Sequence, residues 1–310
     1  MEEKLEIMNL LQNKQLLENE LKSLAYGSVE IRENESNKYI YVHYREDGVA
    51  LTKYVGEYSN ELYNLVLNNS IKAKELKKQI REINKKLKQL NYIEEDLSEK
   101  VEQNIDFAKR HLVDTIYKQA ILEGVATTFA DTESIIEGGK VNNMTSEDIM
   151  KIVNLKHAWE FILNKNVILS NTNFTLLCER NKMVEEGFYY SAGKVRNVPV
   201  TIGGTTWKPN LPIESVIKEE LEKIFNDEMD DIDRAIELLL YTMKKQVFID
   251  GNKRTSVIFC NHYLISKGKG IISIPAELTA KFKDLLISYY EGKDEKQIKK
   301  FIKEKCYMGI

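Results

Sequence analysis

Proline is missing from the first 198 residues of this 310-residue chain; all four prolines lie at or after Pro199. Glycine is sparse over the same stretch. Proline removes a backbone donor and clashes with the preceding helical turn, and glycine lowers helix stability by about 1 kcal/mol relative to alanine. A stretch with so few breakers is free to fold as long helices. With 43% hydrophobic and 30% charged residues, the chain has enough apolar surface for one large domain or two modest ones. That composition argues against an all-β sandwich, a collagen-like chain and a disordered one.

The formal net charge is −3, from 45 basic and 48 acidic residues, which argues against a general polyanion binder but leaves room for local phosphate sites. Cys178, Cys260 and Cys306 are far apart and form no CxxC pair, so neither a disulfide framework nor a structural zinc site is expected, and a reducing compartment fits. The opening MEEKLEIMNLLQNKQ is too acidic and polar for a signal peptide, and no apolar run approaches the ~20 residues of a bilayer span. The expectation is a cytoplasmic protein with no membrane partner.

Residues 3–24 carry a rough apolar stripe (Leu5, Met8, Leu11, Leu17, Leu21, Leu24), and Gly27-Ser28 ends it. SVEIRE, KYIYVHYR and ALTKYV then read as an antiparallel β-meander, with Asn34 and Asn37 at the first turn and Glu46-Asp47-Gly48 at the second. Ser59 is a plausible N-cap for a helix over 60–91, in which Leu76, Ile80, Ile83, Leu87 and Leu90 follow coiled-coil spacing. Residues 1–92 are therefore expected to form a helical hairpin carrying a small three-stranded sheet, an interaction module for a macromolecular partner. Residues 71–90 hold seven Lys and one Arg against two Glu. This run reads either as a basic binding face or as a solvated helix flank. It contains no aromatic residue, which disfavours nucleic acid as the partner.

After a short linker at Asn91–Asp96, helices are expected at about 95–122, 128–137, 145–164, 172–185, 213–228, 230–246, 252–267, 275–291 and 294–306. Between them, GFYYSAGKVRNVPVTIGGTTWKP reads as short strands at Val195–Ile202 and Thr205–Trp207, turning at Gly203-Gly204. The informative stretch is Gln246-Val-Phe-Ile-Asp-Gly-Asn-Lys-Arg-Thr255: helix, tight turn, helix. Gly251 permits a left-handed turn. Lys253 and Arg254 add charge at a helix start whose free N–H groups already attract anions. Asp250 can hold a divalent cation whose shell is completed by phosphate oxygens. The same turn is also ordinary helix capping.

This loop, together with the flap-like segment Val198–Pro209, resembles the Fic/Doc family, whose motif runs His-x-Phe-x-Asp-Gly-Asn-Lys-Arg-Thr. The resemblance implies a mainly α fold, a Fic-type helical bundle with a β-hairpin flap over residues 93–310, preceded here by the coiled-coil hairpin and meander. It implies Mg²⁺ on Asp250, phosphates of ATP or another nucleotide at Gly251, Asn252, Lys253 and Arg254, and a protein target docked by strand addition on Thr201, Ile202, Gly203 and Gly204. The family transfers AMP, or in Doc-type members a phosphoryl group, to a hydroxyl.

Three departures qualify the resemblance. The motif's histidine, the general base, is Gln246, and a carboxamide has no useful basicity near neutral pH. The position where AMP-transferring members carry a second arginine is Val257. Ser134-Ile-Ile-Glu137-Gly138 partly resembles the family's inhibitory helix, Ser/Thr-x-x-x-Glu-Gly/Asn, near residues 128–138, although Glu133 stands where Ser/Thr should. Glu137 reads equally as the last residue before a glycine stop. The favoured expectation is a degenerate Fic-domain protein that binds nucleotide phosphates with weak or absent transfer. Its alternatives are an active transferase using a non-histidine route and a non-enzymatic interaction or regulatory module.

Overall fold

The computed structural model describes residues 2–34, 37–46, 49–90, 92, 97–142 and 144–310. The expected turn at Asp47-Gly48, most of the expected linker and the expected domain boundary after residue 92 lie outside the described residues. The chain forms two compact units, Met1–Glu94 and Glu95–Ile310.

The first unit comprises α1 (Glu2–Ser23), β1 (Ser28–Asn34), β2 (Asn37–Glu46), β3 (Val49–Glu57) and α2 (Asn60–Gln89). Ser59 caps α2 by accepting the Leu62 N–H at 3.0 Å. Leu10 and Leu11 pack with Leu87, while the Asn69 amide reaches the Ala25 carbonyl, so α1 and α2 run antiparallel. The strands form an antiparallel meander in the order β1-β2-β3. Alternation along β2 sends Ile40 and Val42, both fully buried, against Val66 of α2. On the opposite face Tyr41 and Tyr39 lie 5.4 and 6.2 Å from Tyr54, and the Arg32 guanidinium stands 4.4 Å from the Tyr41 ring.

The second unit is helical: α3 (Glu99–Arg110), α4 (Leu112–Leu122), α5 (Phe129–Ile136), α6 (Ser146–Ile162), α7 (Lys165–Ile168), α8 (Phe174–Val184), α9 (Glu214–Asn226), α10 (Asp231–Lys245), α11 (Asn252–Ser266), α12 (Thr279–Tyr290) and α13 (Glu295–Lys305). The helix expected over 95–122 breaks at His111, whose Nδ1 lies 2.9 Å from the Phe107 carbonyl and competes with the helical ladder. Two short strands, β4 (Ile271–Ile272) and β5 (Tyr307–Met308), pair antiparallel. At the centre is α11, buried from Asn252 to Ile265 save for the half-buried Lys253. It is buried on all sides, polar residues included, with α3, α6, α8 and α10 around it.

The segment expected to form a β-hairpin contains no strand: residues 195–209 form a loop that turns at Gly203-Gly204. Pro199 and Pro209 cannot donate to a ladder. Carbonyls a ladder would use are held instead by the buried Arg196, whose guanidinium donates to the carbonyls of Val198, Asn210 and Gln246 at 2.6–2.8 Å.

Candidate functional site

The loop between α10 and α11 is built around two left-handed residues. Gln246 ends α10 with φ 47° and ψ 60°, and Gly251 precedes α11 with φ 72°. Positive φ is uncommon for a residue with a Cβ, and such backbone is held only where the surroundings over-determine it. Here Arg196 supplies that hold, through its side chain on the Gln246 carbonyl and its N–H on the Val247 carbonyl. Gly251 is required twice: for its φ, and because a Cβ there would come within 2.2 Å of a Glu185 carboxylate oxygen.

Asn252 closes the turn. Its side chain accepts the Phe248 N–H at 3.0 Å and donates to the Phe248 carbonyl at 2.8 Å. Its amide thus shapes the loop, where the family resemblance gave it a phosphate contact. Asn181 of α8 braces the other side, donating to the Asp250 carbonyl at 2.9 Å and to the Thr255 hydroxyl at 3.2 Å. Asp250 takes the Gly251 N–H at 2.7 Å and keeps its carboxylate half exposed.

A cavity of about 370 Å³ opens over this turn. The structure brings Gln246, Asp250, Asn252 and Lys253 together with the loop residues Thr201, Ile202 and Gly203 in its wall. Gly204 supports the turn against Ile287, and Trp207 stacks on Tyr290 at 5.4 Å, fixing the loop to α12. Gly251 and Arg254 lie behind the wall. Arg254 is 2% exposed, with Nη2 2.8 Å from Glu185, Nε 3.7 Å from Glu123 and Nη2 3.8 Å from Asp250. The Glu185 contact is close but not aligned as a hydrogen bond, and Nε and Nη1 have no hydrogen-bond partner. Burial, opposed by Arg254, pushes the Glu185 carboxyl up to about 7.

Two acidic residues of this cluster are absent from the sequence-derived set. Glu123, which caps the C-terminus of α4, lines the cavity and stands 3.5 Å from Lys253. Glu185 follows α8. One turn before Glu123, Gln119 donates to the Arg254 carbonyl at 2.7 Å and accepts the Trp159 indole N–H, locking α4 to the start of α11. The expected inhibitory residue Glu137 is exposed at the end of α5. Among the described residues, the carboxylates paired with Lys253 and Arg254 are those of Glu123, Glu185 and Asp250. Ser134 points its hydroxyl at the Lys140 carbonyl, and Gly138 supplies the left-handed turn after α5. The signal that could have found Glu123 is Gln119-Ala-Ile-Leu-Glu123-Gly124, which fits the inhibitory pattern as well as the 133–138 stretch does.

Gln246 and the histidine nearest to it in sequence, His262, are both engaged. The Gln246 carboxamide donates to the Met243 carbonyl at 2.6 Å. His262 is fully buried, with Nδ1 2.8 Å from the Thr172 hydroxyl and Nε2 2.9 Å from the Val167 carbonyl, and burial lowers its pKa to about 4. Lys244 and Lys245, adjacent in sequence, serve the Tyr289 carbonyl and Glu220 instead of the loop.

Residues 171–264 match the model of the Fic/DOC family. The fold agrees. Fic-1 (residues 134–508) from C. elegans superposes with a TM-score of 0.52 at 17% identity, over 78% of this chain and 79% of that one. A Fic-domain-containing signaling protein from Bacteroides thetaiotaomicron gives 0.53 at 16% identity, over 67% and 86%. A Fic family protein from Desulfovibrio desulfuricans gives 0.52 at 11% identity, over 68% and 73%. At such identities the likeness is one of fold. No curated protein matches the sequence.

Proposed function

We propose that this chain is a Fic-domain protein that binds nucleotide phosphates, with Mg²⁺, at the Phe248–Thr255 loop, and that it transfers AMP or a phosphoryl group weakly or not at all. The observation that carries the reading is Gln246, an amide already bonded to Met243 at the position of the family's base. No other cavity group replaces it. Of the other groups in the wall, Glu123 faces Lys253, Asp250 would hold the metal, and burial raises the pKa of the Tyr290 hydroxyl. Loss of general-base catalysis removes about 10²–10⁴-fold in rate.

Phosphate binding is supported by three features: the free N–H groups at the start of α11, the half-buried Lys253, and Arg254. Arg254 adds its charge from behind the wall, where it is balanced by Glu185, Glu123 and Asp250. The residues also fit Mg²⁺. Among the described residues no three acidic, histidine or cysteine side chains are placed to hold a metal on their own. An ion here would rest on Asp250 and on phosphate oxygens, the usual arrangement for Mg²⁺, and would neutralise phosphate charge. Glu123 takes the inhibitory role that the family resemblance gave to Glu137, because its carboxylate stands where a phosphate would pair with Lys253 and Arg254. A protein target would lie along Thr201–Gly204. The first unit is an interaction module. Three free cysteines, Cys260 and Cys306 buried, are in keeping with a reducing cytoplasm, and no helix among the described residues is long and apolar enough to cross a membrane.

Titration calorimetry with ATP, ADP and AMP in Mg²⁺ tests the first half; the expected result is binding of at least one, and no heat from any would overturn it. Labelled nucleotide with cell lysate tests the second. We expect no labelling by the wild type and labelling by Gln246→His. Equal labelling by both would establish an active transferase by a non-histidine route.

A further inference from the structure

The basic run of α2 contains no aromatic residue, but the fold supplies aromatic residues from elsewhere. Within the first unit lies a cavity of about 670 Å³, between the hairpin and the inner face of the sheet. Four cations from three elements line it: Lys22 from the last turn of α1, Lys53 from β3, and Lys77 and Arg81 from α2. Tyr26 and Tyr44 line it too, their rings 5.7 Å apart, and the Lys77 ammonium stands 4.6 Å from the Tyr26 ring.

Neither the charge nor its position is what packing alone would choose. Lys53 pairs in register with the fully buried Val42, on the sheet face that also carries Leu51 and Val55. Its own side chain is exposed there. Lys77 and Arg81 are four residues apart on one helix, a spacing at which like charges repel. The one acidic residue in the lining is Glu18, whose carboxylate is 3.9 Å from Lys14. None of the four cations pairs with a carboxylate in the described part of the structure, whereas Lys72 on the same helix does, with Glu20.

We propose that this cavity binds single-stranded nucleic acid, the four cations taking backbone phosphates and Tyr26 and Tyr44 stacking on bases. Cations tracking a phosphodiester beside aromatic rings are the recurring apparatus for unpaired strands, and the size suits a few nucleotide units. A duplex keeps its bases stacked on each other and would use the cations alone. An acidic peptide would satisfy the cations and leave the rings without a matching planar partner.

The test is fluorescence anisotropy of a labelled twelve-residue oligo(dT) with the full chain. Inorganic polyphosphate of equal charge, a twelve-base-pair duplex and poly-glutamate serve as competitors. The single strand should bind, with affinity falling linearly in log salt. Lys77→Gln with Arg81→Gln should weaken binding at least tenfold and flatten the salt slope. Tyr26→Leu should weaken it about fivefold or more without changing the slope, a separation that misfolding would not produce. Circular dichroism confirms that both variants remain folded. Absence of binding at 50 mM salt, displacement by polyphosphate, duplex or poly-glutamate as effective as by unlabelled oligo(dT), or a Tyr26→Leu variant that binds like the wild type would overturn the proposal.

Discussion

The ends of α4 and α5 carry the same local message. Leu122-Glu123-Gly124 and Ile136-Glu137-Gly138 each place a glutamate at the helix C-cap and a left-handed glycine after it, with φ of 82° and 81°. One glutamate is buried to 13% side-chain exposure beside Lys253 and Arg254; the other faces solvent. Local sequence stops both helices by the same physics, and says nothing about which stop lands on the loop between α10 and α11. What separates them is Gln119, which ties α4 to the Arg254 carbonyl from one turn away, while α5 has no such tie to α11 among the described hydrogen bonds.

The sharpest way to break this comparison is to remove the cation that makes Glu123 special. Arg254→Met should lower stability by about 3 kcal/mol, because it strands the Glu185 and Glu123 carboxylates in a buried setting; urea denaturation measures it. Glu137→Gln should stay within about 0.5 kcal/mol in the same assay.

A similar magnitude is expected from pH. The folded state raises the Glu185 pKa from 4.5 to about 7, so it binds this proton more tightly than the unfolded chain does. The resulting stability is fully present below pH 4.5 and lost as pH rises through 7, about 3 kcal/mol in all. Glu185→Gln should abolish that loss in denaturation curves between pH 5 and 8.5. His262 acts with opposite sign: its lowered folded pKa makes stability fall as pH drops from 6.5 toward 4. The Glu185→Gln variant should expose that acid-side fall unopposed.

A smaller effect sharpens the comparison directly. Glu123→Gln removes the carboxylate beside Lys253 and Arg254; on the proposed function it should tighten Mg–ATP binding roughly tenfold, about 1.4 kcal/mol, by calorimetry. Glu137→Gln should leave the isotherm unchanged. The smallest contrast is a predicted absence of difference. Gly124→Ala and Gly138→Ala meet open space in both cases, so each should cost only the left-handed penalty, about 1 kcal/mol, and cost it equally.

Much of the site is legible in the sequence because it is contiguous. Asp250, Gly251 and Lys253 sit within one turn, and turn chemistry plus helix-start electrostatics single them out. The bonds of Asn252 to Phe248 were not legible, since they depend on the path of the loop. The hairpin expected over 195–209 failed because strand propensity assumes a partner ladder, and Arg196 takes those carbonyls. The cationic cavity of the first unit was invisible for a related reason: Tyr26, Tyr44 and Lys53 reach Lys77 only once the meander folds against α2.

The sequence by itself determined that the chain is mainly helical and where many of its helices stop. Those depend on caps, breakers and residue chemistry, which act over a turn or two. Only the tertiary structure decided which of two equivalent glutamates guards the cations, that Arg254 is buried with two nitrogens unbonded, and which cations gather beside which rings. Such choices rest on contacts between residues far apart in the chain, and local propensity carries no information about them.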